Sequence, residues 1–332
     1  MQQIARMQLY AYLSILLALF LATNIAHATM IVGHRGARDL LPESTLIGYQ
    51  TAIRLGVDYI DMDIVMTKDR ELIVFHDIEL NPSITRDQHG HWIKMEIPVK
   101  QLTLQQLRTF NVGSIKPDSS YHQRFPKQIP LPYAGIPTLR EAIIMAKRIN
   151  KNIRFQIEIK TDPTRPMNSA APEIIAKQLI NLLNELQVNN KVRIQAFDWR
   201  CLYAIQRLNP ALPTAYLTSP EQEALMHDKD AERAGLWTGG KLLKNYQNSI
   251  PLMIKTLGGS AWDPEASTIT AEKLARAHQL GLEVFTWSNS ERKNDDTDEI
   301  KQLLQLRVDG IISDRPDLAL QTLHSINRQK VL

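Results

Sequence analysis

The sequence predicts an α/β protein, a (β/α)8 TIM barrel with a capping insertion after its third strand. Short apolar runs of strand length recur near the start of the chain, and each contains or precedes side chains that can take part in chemistry. A helical stripe separates the first two runs, so the sheet begins as a parallel one. A chain of 332 residues with 44% hydrophobic content can fill one such barrel without a second domain.

The first three predicted strands carry the candidate catalytic groups. These strands are residues 30–33, 59–65 and 72–75. His34 and Arg35 follow the first strand, Asp61 and Asp63 lie inside the second, and His76 follows the third. Because a (β/α)8 barrel builds its site at the C-terminal ends of its parallel strands, we expect these five side chains to lie close together.

A long polar segment at residues 77–135 interrupts the alternation of strands and helices. It contains prolines and dispersed aromatic residues, and only 102–110 has a helical pattern, with Thr103 as its N-cap. A loop of this length inside a compact domain is usually functional. We therefore predict that the segment caps the mouth of the barrel.

The alternation resumes at Thr138, which is the predicted N-cap of the next helix. The predicted helices are 44–55, 139–149, 173–186, 199–208, 270–280 and 297–306. The predicted strands after the insertion are 155–160, 192–197, 214–217, 282–287 and 309–314, which brings the number of strands to eight. Segment 219–260 has no clear periodicity and is interpreted as one more long loop.

The first residues have the pattern of a secretory signal. Arg6 precedes an apolar run at 9–22, and the small residues Ala26 and Ala28 stand where a signal peptidase reads the chain. The run is shorter than the ~20 residues that a membrane-spanning helix needs. We interpret residues 1–28 as a cleaved signal peptide and residues 29–332 as the barrel domain. The expected location is the periplasm or the exterior, with no stable membrane anchor after cleavage.

Cysteine content and charge restrict the partners. Cys201 is the only cysteine, so no disulfide can form within one chain and no lipid-attachment cysteine follows the apolar run. The formal net charge is +4, and the basic residues are dispersed among the acidic ones rather than gathered in a stripe. This distribution argues against a nucleic-acid partner. It leaves the oligomeric state open.

Three carboxylates suggest a metal site. Asp61 and Asp63 are two residues apart on one strand, so both side chains face the barrel interior. Glu158 shares the polar face of a later strand with Gln156 and Lys160 and can meet them. Carboxylates without thiols or a histidine cluster favour a hard divalent cation, Ca²⁺ first and Mg²⁺ as the alternative. A helix-capping or salt-bridge role is the competing interpretation.

The remaining site residues suit acid–base chemistry on an anion. His34 and His76 flank the acidic strand, as a general acid and a general base would, although each could be a hydrogen-bonded structural residue. Arg35 and Lys160 supply positive charge for an anionic substrate, or they neutralise the neighbouring acids. Trp287 is either a platform for the carbon skeleton of the substrate or a packing residue.

Seven short motifs together carry a resemblance to a known family. They are GHRGA from Gly33, Pro42-Glu43 followed by Ser44-Thr45, IDMDIVMTKD, VFHD, IEIK from Ile157, WSN after Thr286, and DGIISDRPD. With these motifs the chain resembles the glycerophosphodiester phosphodiesterase family, in particular its bacterial periplasmic branch, over nearly all of the mature sequence.

The resemblance implies a barrel with a capping insertion after its third strand and assigns roles to the candidate residues. It implies His34 and His76 as acid–base residues, Arg35 and Lys160 as phosphate contacts, and Asp61, Asp63 and Glu158 as metal ligands. The family usually carries glutamate where this chain has Asp61. Because aspartate is one methylene shorter, the cation would shift toward the strand or reach Asp61 through water.

The expected reaction is hydrolysis of a glycerophosphodiester, such as glycerophosphocholine or glycerophosphoethanolamine, to sn-glycerol 3-phosphate and an alcohol, in glycerol and lipid metabolism. With Trp287 and the cap enclosing the glycerol and the alcohol pointing outward, we expect weak discrimination between head groups. Two alternatives remain: a phospholipase D-like activity on intact lipid, and a surface binding protein that keeps the fold without turnover.

Overall fold

The computed structural model of the protein describes residues 29–288 and 297–329. The predicted signal peptide, residues 1–28, lies outside the described residues. Strands within the described ranges are β1 (Met30–Gly33), β2 (Tyr59–Met66), β3 (Leu72–Val74), β4 (Glu79–Leu80), β5 (Ile97–Pro98), β6 (Arg154–Ile159), β7 (Val192–Ala196), β8 (Thr214–Thr218), β9 (Ala261–Pro264), β10 (Glu283–Trp287) and β11 (Gly310–Ser313).

Eight of these strands close into a parallel barrel, which confirms the predicted fold. The barrel strands follow one another in the order β1, β2, β6, β7, β8, β9, β10 and β11, and β1 pairs with both β2 and β11. Asp63 lies opposite Glu158 in the register of β2 and β6, and Asp61 lies opposite Gln156. Pairing of adjacent strands therefore brings the predicted acidic residues to neighbouring positions.

The prediction that residues 72–75 form a parallel barrel strand is wrong. β3 runs antiparallel to β2, with Ile64 opposite Val74 and Met66 opposite Leu72. The connection between them, residues 67–71, is too short for a crossover to a parallel strand, which takes about a dozen residues. The capping segment thus follows the third strand of the chain but only the second strand of the barrel. The sequence analysis missed β9, which is the sixth of the eight barrel strands.

Helices surround the barrel. They are α1 (Leu46–Leu55), α2 (Leu104–Leu107), α3 (Ser120–Arg124), α4 (Leu139–Ile149), α5 (Pro172–Leu186), α6 (Trp199–Leu208), α7 (Pro220–Met226), α8 (Ala231–Ala234), α9 (Ile250–Thr256), α10 (Ala271–Gln279), α11 (Thr297–Leu306) and α12 (Pro316–Gln329). The predicted N-caps Thr103 and Thr138 both form capping boxes. Segment 219–260 is not a single loop, because α7, α8 and α9 lie within it.

Alternation along β2 separates the core from the site. Ile60, Met62 and Ile64 are buried in the main hydrophobic cluster, which the barrel strands form with the surrounding helices. Asp61 and Asp63 point to the other side and are buried too. Burying two carboxyl groups costs free energy unless charges or hydrogen bonds compensate them, so this face of β2 is expected to carry function.

The segment after β3 has a small core of its own. Leu80, Leu107, Tyr121 and Phe125 belong to a second cluster of buried apolar residues, separate from that of the barrel. β4 and β5 form an antiparallel pair here, and α2 and α3 are short. The segment is therefore a folded structure rather than an open loop.

Candidate active site

A cavity of about 350 Å³ lies at the C-terminal ends of the barrel strands. Seven of the eight predicted site residues line it: His34, Arg35, Asp61, His76, Glu158, Lys160 and Trp287. The eighth, Asp63, is fully buried, and its carboxylate lies 3.5 Å from Arg35 Nε and 3.7 Å from Lys160 Nζ. The structure thus brings the predicted residues together.

A tight turn after β1 directs His34 and Arg35 into the cavity. Gly36 has a φ of 94°, and a Cβ atom on it would lie 2.8 Å from the backbone of Gly48 in α1. Only glycine fits this position without moving the helix. Arg35 Nη1 donates to Glu43 Oε1 at 2.9 Å, and Tyr121 of the cap donates to the other oxygen of Glu43. The cap therefore holds the arginine through Glu43.

His34 is oriented by a buried aspartate. Its Nδ1 lies 2.7 Å from Asp314 Oδ1, and Arg38 donates to both oxygens of Asp314 at 2.8 and 2.6 Å. Burial opposes ionisation of Asp314, but the charge of Arg38 and the hydrogen bonds from Arg38 and His34 together outweigh it and hold the pKa of this carboxyl well below its usual range. The carboxylate accepts a hydrogen bond from Nδ1–H, so Nε2 faces the cavity unprotonated. Burial lowers the pKa of His34 to about 4, against the opposing effect of Asp314.

His76 is held in the same way by its own neighbour. Its Nδ1 lies 2.6 Å from Asp77 Oδ1, and Asn81 donates to Asp77 Oδ2 at 2.9 Å. Its Nε2 lies 3.0 Å from Lys160 Nζ, and an ammonium group can only donate, so Nε2 accepts. Burial, followed by the charges of Arg35 and Lys160, lowers the pKa of His76 to about 3. Both histidines are therefore neutral. Nε2 of His34 faces the cavity, and Nε2 of His76 accepts from Lys160 in the cavity wall.

The three predicted metal ligands affect one another's protonation. Burial, then Asp63 and Glu158, raise the pKa of Asp61 well above its usual value. Burial also raises the pKa of Glu158 to about 7, with Lys160 opposing and Asp63 adding to the shift. For Asp63, the positive surroundings that include Lys160 and Arg35 outweigh burial and lower the pKa. The site therefore carries strongly interacting carboxyl groups.

The donor chemistry of these acids fits a hard divalent cation. Both oxygens of Asp63 are buried and lack a hydrogen-bond partner, so their lone pairs are available to a cation. As the side chains stand, no group of three acidic, histidine or cysteine residues in the described ranges converges closely enough to hold an ion. Instead, Lys160 Nζ lies 2.6 Å from Glu158 Oε1 and partly neutralises the acids.

Neighbouring amides hold Asp61 in place. Asp61 Oδ1 accepts from Gln195 Nε2 at 2.7 Å and from Gln156 Nε2 at 3.3 Å. The two glutamines come from β6 and β7, so the position of the carboxyl is set by three adjacent strands. This arrangement fixes the shorter side chain where a glutamate would have reached further.

Trp287 has packing contacts and also lines the cavity. Its indole Nε1 donates to the carbonyl of Asp263 at 3.2 Å, and its ring packs edge-on against Phe197 with 5.5 Å between centroids. The half-buried ring also lines the cavity. Its packing contacts therefore orient an aromatic wall for a ligand.

The sequence analysis missed the residues that support the two histidines, Arg35 and Asp61. These are Arg38, Glu43, Asp77, Asn81, Tyr121, Gln195 and Asp314. Four of them lie in or beside the quoted motifs, since Glu43, Asp77 and Asp314 belong to the PE, VFHD and DGIISDRPD stretches and Arg38 follows GHRGA. The motifs therefore contained or adjoined these four residues, but only the fold shows which residue each one contacts.

Replacing Asp314 should destabilise the protein in a pH-dependent way. Because the pKa of Asp314 is lower in the folded chain than in the unfolded one, its contribution is fully present above about pH 4 and is lost as the pH falls further. We expect Asp314→Asn to lower the free energy of unfolding by about 3–5 kcal/mol at pH 7, because Arg38 is left buried without its counter-charge. Urea unfolding between pH 7 and pH 3 measures both effects.

The matched control is Asp317→Asn, which removes one of the two acidic partners of the more exposed Arg315 and leaves Asp39 in place. We expect this variant to lose less than about 1 kcal/mol. Equal stability of Asp314→Asn and the parent at pH 7 would show that the buried pair does not contribute.

Three comparisons with known proteins agree with this geometry. Residues 34–318 match the family model described as the Glycerophosphoryl diester phosphodiesterase family. A glycerophosphodiester phosphodiesterase of Bacillus subtilis (strain 168) is 29% identical over 293 residues, which cover 87% of this chain and 84% of the relative. The fold also matches a proposed glycerophosphoryl diester phosphodiesterase from Silicibacter pomeroyi DSS-3, with a TM-score of 0.79 and 28% identity over 90% of this chain and 94% of the other.

A further solved structure shows the same fold at greater distance. A phosphodiesterase from Oleispira antarctica, solved in complex with the product sn-glycerol 3-phosphate, has a TM-score of 0.63 and 16% identity, with 90% of this chain and 97% of the other covered. The family match spans most of the chain, including both histidines and the acidic strand. With its site and its fold in agreement, this chain belongs to the glycerophosphoryl diester phosphodiesterase family and is a phosphodiester-hydrolysing enzyme.

Proposed function

We propose that the enzyme hydrolyses glycerophosphodiesters, such as glycerophosphocholine and glycerophosphoethanolamine, to sn-glycerol 3-phosphate and a free alcohol in glycerol and lipid metabolism. The observation that carries the proposal is the pair of neutral histidines, His34 and His76, each held by an aspartate and both facing one cavity with Arg35 and Lys160. A cavity with two fixed cations suits a phosphodiester, which carries one negative charge. The activity of the Bacillus subtilis relative supports the same reaction.

The two histidines would move the protons of the reaction. One Nε2 takes the proton of the nucleophile as its oxygen forms a bond to phosphorus. The nucleophile is water, or it is the glycerol hydroxyl of the substrate, in which case a cyclic phosphate forms first and water then opens it to glycerol 3-phosphate. The bond between phosphorus and the alcohol oxygen then breaks, and the other imidazole gives that oxygen a proton. Its low pKa in the free protein would rise when the phosphodiester anion binds beside it, because an adjacent negative charge favours the imidazolium.

Arg35 and Lys160 would hold the phosphoryl oxygens. Arg35 is fixed by Glu43, and Lys160 donates to Glu158 and His76, so both cations are positioned before substrate arrives. Such preorganised charges stabilise the negative charge that develops on the oxygens during the reaction.

Asp61, Asp63 and Glu158 would hold a divalent cation, for which Ca²⁺ is our first expectation and Mg²⁺ the alternative. When bound, the cation supplies Lewis-acid stabilisation to the phosphoryl group. The oxygens of Asp63 lack a hydrogen-bond partner, and the pKa values of Asp61 and Glu158 are raised. Both observations support this proposal, because a cation would relieve the repulsion among the carboxylates.

Purified protein incubated with glycerophosphocholine tests the function. Release of glycerol 3-phosphate, followed with a coupled dehydrogenase, should occur with added Ca²⁺ or Mg²⁺ and fall to background with excess EDTA. Cleavage of diacylated phospholipid instead would favour the phospholipase D-like alternative. Saturable binding without any turnover would favour the binding protein.

We also propose that residues 1–28 direct the enzyme to the periplasm or the exterior, as expected of the periplasmic branch of the family. The support is the apolar run at 9–22 followed by Ala26 and Ala28. No helix in the described ranges is long and apolar enough to cross a membrane. N-terminal sequencing of the expressed protein should find Thr29 as its first residue, and an intact N-terminus would contradict the proposal.

A further inference from the structure

A second cavity, of about 420 Å³, lies beside the first. The two cavities share six lining residues: His76, Asp77, Asn81, Glu158, Lys160 and Phe197. The rest of the second wall comes from the cap and from the loops after β6 and α8, and includes Glu79, Glu96, Asp162, Arg165 and Trp237. The second cavity therefore adjoins the candidate active site, and His76 and Lys160 belong to the wall between them.

The charge of the wall changes sign between the two cavities. The described residues that line the first include four lysines and arginines and three acidic residues. Those that line the second include five acidic residues, and its only lysine or arginine residues are Lys160 and Arg165. A ligand that extended from one into the other would meet a positive environment at one end and a negative one at the other.

Part of the negative charge in the second cavity remains uncompensated. Arg165 donates to Glu79 at 2.7 Å and also to Asp162 at 2.9 Å, so one guanidinium serves two carboxylates. Glu96, an exposed residue, adds a third carboxyl beside Glu79, and its hydrogen bond to Glu79 raises the pKa of Glu96. Carboxyl groups this close to one another favour the approach of a cation.

Aromatic rings complete the wall of the second cavity. Phe197 and Trp237 are both half-buried and line it. The ring of Phe197 already has Lys160 Nζ 5.6 Å from its centroid, which leaves Trp237 as the ring for a further cation. The carbonyl of Trp237 accepts from the backbone N–H of Trp199 at 2.9 Å, which ties its segment to the start of α6. The faces of aromatic rings attract cations, and quaternary ammonium groups most characteristically, because such groups cannot donate hydrogen bonds.

The chemistry of a phosphodiester relates the two cavities. Its phosphorus is bonded to the oxygens of two alcohols. His76 and Lys160 line both cavities. We proposed above that these two residues act on the phosphoryl group and hold it. With the glycerol against Trp287 in the first cavity, the other alcohol extends toward the second. We propose that the second cavity is a subsite for a cationic alcohol, an ammonium head group such as choline or ethanolamine, bound by Glu79, Glu96 and Trp237.

This inference rests on the proposed function and names the class of head group for the same reaction. It replaces the expectation from the sequence, which had the alcohol pointing outward and only weakly discriminated. The enzyme should select zwitterionic diesters, whose negative phosphate and positive ammonium match the charges of the two cavities.

The test compares kcat/KM for glycerophosphocholine, glycerophosphoethanolamine and glycerophosphoglycerol, whose second alcohol is neutral. We expect the parent enzyme to prefer each cationic head group over the neutral one by at least tenfold. Glu96→Gln should reduce that preference at least threefold for both, because a long-range attraction is lost. Trp237→Leu should reduce it mainly for choline. Glu272→Gln, which removes an exposed charge on α10 away from both cavities, is the matched control and should leave the preference unchanged.

The possible failures are distinguishable. Hydrolysis of all three diesters with equal kcat/KM, or a preference that neither Glu96→Gln nor Trp237→Leu alters, would overturn the subsite and leave the proposed function in place. Absence of hydrolysis for all three would overturn the proposed function and the subsite with it. Circular dichroism of each variant establishes that the barrel is folded.

Discussion

His34→Ala and His76→Ala should each lower kcat by roughly 10²- to 10⁴-fold, the range expected when a positioned proton-transfer group is lost. Each imidazole lines the cavity with an unprotonated Nε2, which in His76 accepts from Lys160, and each is fixed by an aspartate, Asp314 or Asp77. Alanine removes the proton acceptor and leaves the aspartate in place. Initial rates of glycerol 3-phosphate release at saturating glycerophosphocholine measure the effect.

Folding should be little affected by either change. Asp314 keeps its two contacts with Arg38 after His34 is removed, and Asp77 keeps its contact with Asn81 after His76 is removed. His91→Ala is the matched control, because the side chain of His91 lies on the capping segment and is 81% exposed. Turnover within threefold of the parent in either active-site variant would remove that histidine from the mechanism.

Asp61→Asn should abolish activity if Asp61 holds a cation, whereas Asp61→Glu should retain activity or tighten metal binding. Without a cation, burial beside Asp63 and Glu158 raises the pKa of Asp61, so the free protein favours a neutral side chain at this position. Asparagine reproduces the shape of that neutral form but cannot supply the charge a divalent cation requires. The substitution therefore separates the two interpretations of the acid: a metal ligand, or a hydrogen-bonding partner of the glutamines.

The Asp61 variants are tested by measuring both metal binding and the rate of hydrolysis. Calorimetric titration with Ca²⁺ should show weaker binding for Asp61→Asn and equal or tighter binding for Asp61→Glu. The rate of hydrolysis should follow the same order at limiting Ca²⁺ or Mg²⁺. Gln195→Leu removes an amide that donates to Asp61 without removing a charge, and it should weaken metal binding less than Asp61→Asn does. An Asp61→Asn enzyme as active as the parent would show that the three-carboxylate site is wrong.

The sequence by itself determined the barrel and the membership of the site. His34, Arg35, Asp61 and Glu158 could be predicted to meet because they follow or lie in strands of one parallel sheet, and the C-terminal ends of such strands form one edge. Alternation along β2 likewise placed both aspartates on the side away from the apolar core. These inferences need only local periodicity and the direction of the strands.

Only the tertiary structure decided which residues contact the site residues. Asp314 lies 280 residues after His34, and the closure of β1 against β11 brings them together. β3 turned out to be antiparallel, although the short connection 67–71 could have indicated it. β9 escaped detection because its four residues, AWDP, have neither the length nor the apolar pattern of a typical strand.

The opposed charges of the two cavities also depend on the fold. Glu79 and Arg165 are 86 residues apart, and they meet because the cap packs against the loop that follows β6. Which charges face one another across such a distance depends on how separate segments pack, and local sequence does not encode that packing. The sequence thus determined the chemical groups at the mouth of the barrel, and the packing of the cap determined how they are divided between the two cavities.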